Sequence, residues 1–224
     1  MAPAATPGAI SLSELCDRLF FDLVKADAYR KVYAGMSSQL RVETILRIAP
    51  TYFALTQTAL LEMSCIIITR LYDPSSRAVT LKYLLEVAAQ KVEEFESGAS
   101  DALKGIEEAR ESLAEASGAL DAVKTIRDKL LAHRDKTHFH LDALDQLPAL
   151  DAEIGSLVDA GRRAVNAIRL KFDGVWCTPE LLDVTDYEWL VHVLREGKKA
   201  QLRAAEEAGC TDEFLEMKKD LGLI

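Results

Sequence analysis

A guanidinium, a carboxylate and an imidazole occur within seven residues of sequence near the middle of the chain. They belong to Arg127, Asp128 and His133, in the stretch IRDKLLAHRDK. An imidazole, whose unperturbed pKa is about 6.5, gives or takes a proton near neutral pH. A guanidinium stays charged and offers a planar fork of donors to phosphate oxygens, while a carboxylate can orient either partner. These residue types therefore suit acid–base chemistry at a phosphate group.

The same stretch concentrates positive charge. Between Lys124 and Lys136, five cationic residues stand against two carboxylates, which leaves a local charge of +3 in a chain whose net charge is −9. The overall charge opposes non-specific adhesion to nucleic acid or anionic lipid, so a polyanion would need this local patch. We predict that three of its residues, Lys129, Arg134 and Lys136, contact substrate together with His138, which follows the patch. The alternative is a solvated helix end, where the helix dipole favours cations.

The sequence predicts neither a metal nor a cofactor. His138 and His140 follow His133 closely enough to imitate a metal triad, but no HExxH spacing accompanies them. The glycines are isolated and match no phosphate-binding loop. We expect these histidines to contact substrate or solvent.

The cysteines and the apolar runs bear on the cellular compartment of the protein. Cys16, Cys65, Cys177 and Cys210 are scattered, with no CxxC pair. The first ten residues lack the charged and apolar regions of a secretory signal. The longest apolar run, around 65–69, is too short to span a bilayer. We predict a cytoplasmic protein with reduced cysteines and no membrane association.

Helices are predicted to position the candidate residues. Apolar residues recur at helical spacing, and no segment alternates with a period of two for long enough to form a strand. The predicted helices cover about 12–34, 39–71 with a kink before Pro50, 80–96, 100–136 with a bend at Gly118, 149–172 and 185–208. We predict an all-α fold with a disordered segment 1–10, a single bundle of five to seven helices over 11–175, and a helical extension over 176–224 packed on that bundle.

Two of the predicted helix ends resemble a known family. One end carries an Arg, a polar residue and then a His, in RDKLLAH (127–133), and an apolar helix before it ends in RLYD (70–73). In this order the motifs resemble those of HEPN domains and, more narrowly, the abortive-infection U-type HEPN proteins of bacteria. The resemblance covers about 12–175 and does not extend beyond it.

The resemblance implies a dimeric helical bundle that acts as a metal-independent endoribonuclease in a toxin or phage-defence system. Other members of the family have lost this chemistry, so a non-catalytic module that binds RNA, a nucleotide or a protein partner is the alternative. A purely structural dimerising bundle is a third. In the catalytic case, His133 is the acid or base, Arg127 stabilises the phosphate and Asp128 orients. Arg70 becomes a further candidate for substrate contact, although a helix end with a local ion pair to Asp73 explains it more simply.

The spacing of the motif bears on how a site is assembled. Six residues along an α-helix separate Arg127 from His133 by about 120° around the axis and about 9 Å along it. One copy therefore offers a loose site with one imidazole. Two copies that cross at a two-fold axis would bring two Arg and two His into one cleft. We predict a composite site at a homodimer interface.

Some HEPN proteins are controlled by a nucleotidyltransferase that modifies a tyrosine two residues after the motif histidine. Here that position is Asp135, which argues against this form of antitoxin control. An antitoxin or defence partner of another kind remains open.

Aromatic and basic residues near the C-terminus offer a weaker nucleic-acid signal. Trp176, Tyr187 and Trp189 could stack on bases, but packing is the favoured interpretation. A second basic stretch has a local charge of +3 once Glu196 is counted, and it consists of Arg195, Lys198, Lys199 and Arg203. Its favoured interpretation is the solvent face of a helix.

Overall fold

The computed structural model describes residues 10–37, 49–75, 78–128, 147–178 and 184–209. Within those ranges the chain forms seven α-helices, one short 3-10 helix and no strand. The α-helices are α1 (Leu12–Met36), α2 (Pro50–Leu71), α3 (Leu81–Gln90), α4 (Ala99–Glu115), α5 (Ser117–Ile126), α6 (Leu147–Asp173) and α7 (Asp186–Glu207), and the 3-10 helix is Val92–Glu94. The predicted all-α fold is confirmed.

The helices divide between two compact units. Unit 1 comprises Met1–Asp27 and Met63–Leu181, and unit 2 comprises Ala28–Glu62 and Leu182–Ile224. The boundary proposed after residue 175, and an extension packed on the bundle, stay predictions. The disordered segment 1–10 lies almost wholly outside the described residues.

The core of unit 1 is centred on α6, against which α3, α4 and α5 pack. Two glycines allow close helix approach. A Cβ on Gly105 of α4 would lie 2.8 Å from the carbonyl oxygen of Ala167, and one on Gly161 would lie 2.7 Å from a methyl of Leu23 on α1. A larger side chain at Gly105 would therefore push against the backbone of α6, whereas one at Gly161 would displace the Leu23 side chain. The α6 residues that complete this core are fully buried: Leu150, Ile154, Leu157, Val165 and Ile168.

Side-chain caps begin two of the helices as their sequences indicate. The Ser11 hydroxyl accepts a hydrogen bond from the Glu14 amide at 3.1 Å, and the Thr80 hydroxyl accepts one from the Tyr83 amide at 3.1 Å. Each cap satisfies an amide that the first helical turn leaves without a backbone acceptor.

Two internal helix boundaries differ from the predicted ones. The helix predicted over 80–96 ends at Gln90, and the chain then turns so that buried Phe95 packs edge-to-face on Phe172, with ring centroids 5.2 Å apart. The long helix predicted to bend at Gly118 instead breaks at Ala116, which is buried. Both boundaries therefore coincide with side chains that are buried in the folded chain, and local propensity does not encode this burial.

Unit 2 has a small core of its own. Met36 and Phe53 are fully buried, and the apolar side of α7 packs against them through Tyr187, Val191 and Leu194. Gly35 lies directly against the Tyr187 ring, where a Cβ has no room. Packing of Tyr187, as favoured from the sequence, is confirmed.

Helix α2 is long and apolar enough to cross a membrane by length and composition alone. The apolar run around 65–69, which is by itself too short to span a bilayer, lies within this longer helix. Core helices of soluble proteins pass the same test, which makes it weak evidence for a membrane span. The helix supplies six buried apolar side chains to the cores of the two units: Phe53, Leu61, Cys65, Ile67, Ile68 and Leu71.

Candidate functional site

Arg127 and Asp128 directly follow helix α5, at the end of the described range 78–128. Ala119 and Val123 are buried and hold the helix against α6. Arg127 follows Val123 by four residues, so it lies on the same side of the helix, at the edge of the packed face. This position leaves its side chain 34% exposed.

The helix changes geometry at the motif itself. Residues 127 and 128 are π-helical, although the Arg127 amide itself still donates to the carbonyls of Val123 and Lys124, four and three residues earlier. Short π-helical turns inside α-helices are uncommon and occur frequently at functional sites. The feature therefore singles out the position that the sequence motif had indicated.

Arg127 and Asp128 form a close ion pair with each other. The guanidinium Nε and Nη2 both donate to Asp128 Oδ1, at 2.8 and 2.6 Å. The Asp128 side chain is 49% exposed. The carboxylate thus fixes the orientation of the guanidinium plane, and the orienting role of Asp128 in a reaction stays a prediction.

The pair leaves donors on the guanidinium. It uses Nε and one hydrogen of Nη2, so the two hydrogens on Nη1 and the second on Nη2 remain. Among the described residues, no other acceptor binds Arg127 through a hydrogen bond. An oriented, half-exposed guanidinium with free donors is suited to binding a phosphate oxygen pair.

Arg70 lies at the end of α2 and contacts a different partner. Its Nη2 donates to Asp22 Oδ2 of α1 at 2.6 Å, and Asp73 instead accepts the Ser75 amide at 2.8 Å. The local pair expected between Arg70 and Asp73 is therefore replaced by one that ties two helices together. In the described residues, no hydrogen bond or ion pair joins Arg70 to Arg127 or Asp128. Its substrate contact stays a prediction.

The remaining candidate residues lie outside the described part of the chain. They are Lys129, His133, Arg134, Lys136, His138 and His140. Within the described ranges, no group of three or more His, Cys, Asp and Glu side chains is placed to hold a metal ion. The roles assigned to these six residues rest on the sequence.

A buried polar network in unit 1 has no counterpart in the sequence analysis. Arg169 of α6 is 8% exposed and donates to the Ser13 carbonyl at 2.6 Å, to Asp17 at 2.9 Å and to Asp173 at 2.8 Å. The Ser13 hydroxyl also donates to Asp173, at 2.9 Å. The network fastens the start of α1 to the end of α6.

Two cysteines lie beside this network. Burial raises the pKa of Cys16 from 9.0 to about 12. Burial also raises the pKa of Cys177, whose backbone is held by Asn166 through hydrogen bonds of 2.9 and 3.1 Å. Thiols with raised pKa values are poor nucleophiles, so neither residue is placed for covalent chemistry.

A pocket of about 420 Å³ lies at the same end of unit 1 and is lined by Asp17, Phe20, Phe21, Cys177 and Thr178. Its single carboxylate is already bound by Arg169. None of the predicted site residues lines it, so the pocket offers no acid, base or cation for phosphate chemistry.

Two exposed aromatic residues depart from the sequence interpretation. Trp176 and Trp189 are 60% and 69% exposed, so the expectation that they pack in the interior is wrong. Helical spacing gives no information on Trp176, because this residue follows the end of α6 and lies outside any helix.

Comparison with known proteins places the motif in a family context. The family model described as HEPN_AbiU2 (AbiU2) matches residues 10–187, well over half of the chain. The match includes the Arg127–Asp128 pair and His133 but ends before most of α7. No curated protein and no solved structure is significantly similar to the chain.

Proposed function

Since the chain belongs to the AbiU2 family of abortive-infection HEPN proteins, we propose that it is a metal-independent endoribonuclease. The proposed substrate is RNA, and the reaction is attack of a ribose 2′-hydroxyl on the adjacent phosphorus. The 2′-oxygen forms a new bond to phosphorus as the bond to the leaving 5′-oxygen breaks. The products are a 2′,3′-cyclic phosphate and a free 5′-hydroxyl.

Each step of this reaction has a residue assigned to it. His133 removes the proton from the 2′-hydroxyl, and an imidazolium returns a proton to the leaving 5′-oxygen. Arg127 binds the non-bridging phosphate oxygens, where negative charge grows in the transition state. Asp128 acts through Arg127 as a positioning residue, because its carboxylate holds the guanidinium plane at 2.6–2.8 Å.

The single observation that carries the proposal is the state of Arg127. It is half-exposed, oriented by one neighbour, and keeps donors that no acceptor binds among the described residues, at the position where the family motif begins. The arrangement favours an external anion as the missing partner.

A homodimer completes the site in this proposal. One copy supplies a single motif histidine, whereas the reaction uses a base and an acid. Two copies related by a two-fold axis would contribute one imidazole each, together with two guanidinium groups. The resemblance to dimeric HEPN proteins supports the same arrangement.

Mixing wild type with an inactive variant tests the composite site. Wild type and His133→Ala protein are unfolded together and refolded as a mixture. A heterodimer holds one imidazole and therefore lacks either the base or the acid, so we expect the cleavage rate to fall as the square of the wild-type fraction. A rate that falls only in proportion to the wild-type fraction, although heterodimers are detected by native mass spectrometry, would reject a shared cleft.

We further propose a cytoplasmic role in toxin or phage-defence biology. Inducible expression of wild type should arrest growth and fragment cellular RNA, whereas His133→Ala should do neither at equal protein level. The aspartate at position 135 makes tyrosine modification impossible at that position, so a neutralising partner would act by binding. Growth arrest that His133→Ala produces equally well would exclude nuclease action as its cause.

A non-catalytic binding module is the second candidate. It is favoured by the full ion pair between Arg127 and Asp128, since a neighbouring carboxylate reduces the positive charge that a transition state requires. Purified protein separates the two candidates: RNA degradation in EDTA that follows wild type and disappears in His133→Ala identifies the enzyme. RNA binding without any cleavage would identify the module.

A further inference from the structure

Helix α7 carries a surface that the proposed chemistry does not use. Most of this helix lies beyond the residues that the family model matches, 10–187. One side of the helix packs on the core of unit 2 through Tyr187, Val191 and Leu194. The other side faces solvent with an unusual combination of aromatic and cationic residues.

The aromatic part of this surface is a stacked pair. Trp189 is 69% exposed, and its ring lies against that of His192 with centroids 5.4 Å apart and planes inclined by 29°. The two residues are three apart, so they lie on one face of the helix. An exposed indole ordered by a neighbouring ring offers a flat surface on which a further ring can stack.

The cationic part continues along the same face. Lys199 follows His192 by two helical turns, Arg203 follows one turn later, and Arg195 lies beside them. Glu196 accepts a hydrogen bond from Lys199 at 2.8 Å, and this bond lowers the pKa of the carboxyl. Arg195 and Arg203 form no ion pair with any residue in the described ranges.

The charge of this segment contrasts with that of the chain. Arg195, Lys198, Lys199 and Arg203 stand against Glu196 alone between residues 189 and 203, a local charge of +3 in a chain that carries −9. The ends of α7 are acidic, with Asp186 and Glu188 at one end and Glu206 and Glu207 at the other. A polyanion is therefore repelled by most of the molecule and attracted to a few places, of which the middle of α7 is one.

We propose that the exposed face of α7 binds single-stranded RNA, with a base stacked on Trp189 beside His192 and phosphates on Arg195, Lys199 and Arg203. Aromatic platforms next to basic side chains are the usual means of holding single strands without reading their sequence. The inference deepens the proposed function by naming a substrate-holding surface, and it rests on that function for the choice of RNA.

A protein partner is the competing occupant, because Leu190 and Val193 are also exposed on α7. The observations favour RNA for two reasons. The cations continue for two turns beyond the aromatic pair, and two of the arginines have no carboxylate partner among the described residues. An apolar protein contact would use neither feature.

The test measures binding without cleavage, so that its outcome does not depend on the active site. Full-length protein is titrated into a fluorescent single-stranded RNA in which every 2′-hydroxyl is methylated, and anisotropy gives the Kd. We expect Trp189→Ala to weaken binding by about tenfold, as a single stacked base does elsewhere. Replacement of Lys199 and Arg203 by Glu should reduce the slope of log Kd against log salt by about 1.4, from two lost phosphate contacts.

The chain provides matched controls for both variants. Trp176 is 60% exposed on unit 1, and no stacking contact to it occurs among the described rings, so Trp176→Ala controls for loss of an exposed tryptophan. Lys104→Glu combined with Arg110→Glu reverses two cations on α4 that already pair with Asp101 and Glu107. We expect both control proteins to bind as wild type does.

A spectroscopic readout reports stacking directly. In a Trp176→Phe background, Trp189 is the one remaining tryptophan, and its fluorescence should be quenched as the RNA binds. Equal Kd values for Trp189→Ala and Trp176→Ala, or binding without quenching, would overturn the proposal. If His133→Ala loses cleavage but still binds RNA, the proposed RNA surface on α7 is unaffected. If wild type itself binds this RNA weakly, the proposal is rejected even when cleavage is found.

Discussion

Two arginines of unit 1 show how the same side chain serves different ends. Arg169 is 8% exposed and is bound by a backbone carbonyl and two carboxylates from separate parts of the chain. Arg127 has one described partner, the adjacent Asp128, and its side chain is 34% exposed. Arg169 joins the start of α1 to the end of α6. Among the described residues, Arg127 binds only its neighbour in the sequence.

The difference indicates where to look for function. A buried cation that is held by partners from separate parts of the chain stabilises the fold, and little of it is accessible to an external anion. A cation oriented by one neighbour keeps donors for an external anion. Removing Arg169 should therefore affect stability, whereas removing Arg127 should affect activity. The following predictions give the loss of stability that we expect at further residues, from the largest to the smallest.

The largest loss of stability is expected at Arg162, whose partner is the most deeply buried. Its Nη2 lies 3.0 Å from Asp27 Oδ2, and the side chains are 15% and 6% exposed. Arg162→Met leaves the Asp27 carboxylate buried without this cation, and we expect the free energy of unfolding to fall by about 3–5 kcal/mol in urea titrations. Adding Asp27→Asn should recover at least half of the loss. If Arg162→Met alone lowers the free energy of unfolding by less than about 1 kcal/mol, this account is contradicted.

Arg169→Met should cost somewhat less, because Asp17 is 61% exposed and can return to water. We expect the free energy of unfolding to fall by about 2 kcal/mol, the typical effect of losing hydrogen bonds to a charged group. Arg163 provides the control, since it also lies on α6 but pairs with Glu115 at the surface. Arg163→Met should change stability by less than about 0.5 kcal/mol. Equal effects at the two positions would remove the distinction between buried and exposed arginines.

The cysteine beside Arg169 predicts a loss of stability in alkali. Because burial raises the pKa of Cys16 to about 12, the folded protein keeps a proton that the unfolded chain releases above pH 9.0. The stabilising contribution is therefore full below pH 9.0 and is lost as the pH rises towards 12. Between these values we expect Cys16 to contribute at most about 1.4 kcal/mol per pH unit to the decline. Cys16→Ala should flatten the decline, and an unchanged pH slope would show that this thiol is not the cause.

The smallest effects are expected at the half-exposed and exposed arginines. Arg127→Met should lower the free energy of unfolding by less than about 1 kcal/mol, and Arg18→Met, which removes a surface pair with Glu14, by less than about 0.5 kcal/mol. Both are measured in the same urea titrations. A loss at Arg127 as large as that at Arg169 would mean that Arg127 is structural.

Much of the fold follows from sequence pattern alone. The first helix, predicted over about 12–34, is observed as Leu12–Met36, and the last as Asp186–Glu207 against 185–208. Helical periodicity, a serine cap and a proline at position 50 are local signals, and local signals survive folding. The breaks at Lys91 and Ala116 carry no such local signal, and they lie beside side chains that are buried only in the folded chain, Phe95 and Ala116 itself.

Less of the candidate site could be predicted. The motif identified Arg127 and Asp128, but their mutual ion pair could not be expected, since adjacent residues on a regular α-helix do not face each other. The pair coincides with a π-helical turn that no residue type signals. The Arg169 network joins residues more than 150 positions apart, which no spacing rule reveals.

Cleavage of RNA by Arg127→Ala is the most direct test of the central claim. The purified variant is compared in EDTA with wild type and with Arg110→Ala, which removes an exposed arginine paired on α4. We expect Arg127→Ala to retain its helicity and stability but to lose about 10²–10³-fold in cleavage rate, as when one transition-state donor is removed, while Arg110→Ala cleaves as wild type does. Cleavage by Arg127→Ala at the wild-type rate would contradict the assignment of this guanidinium to the phosphate.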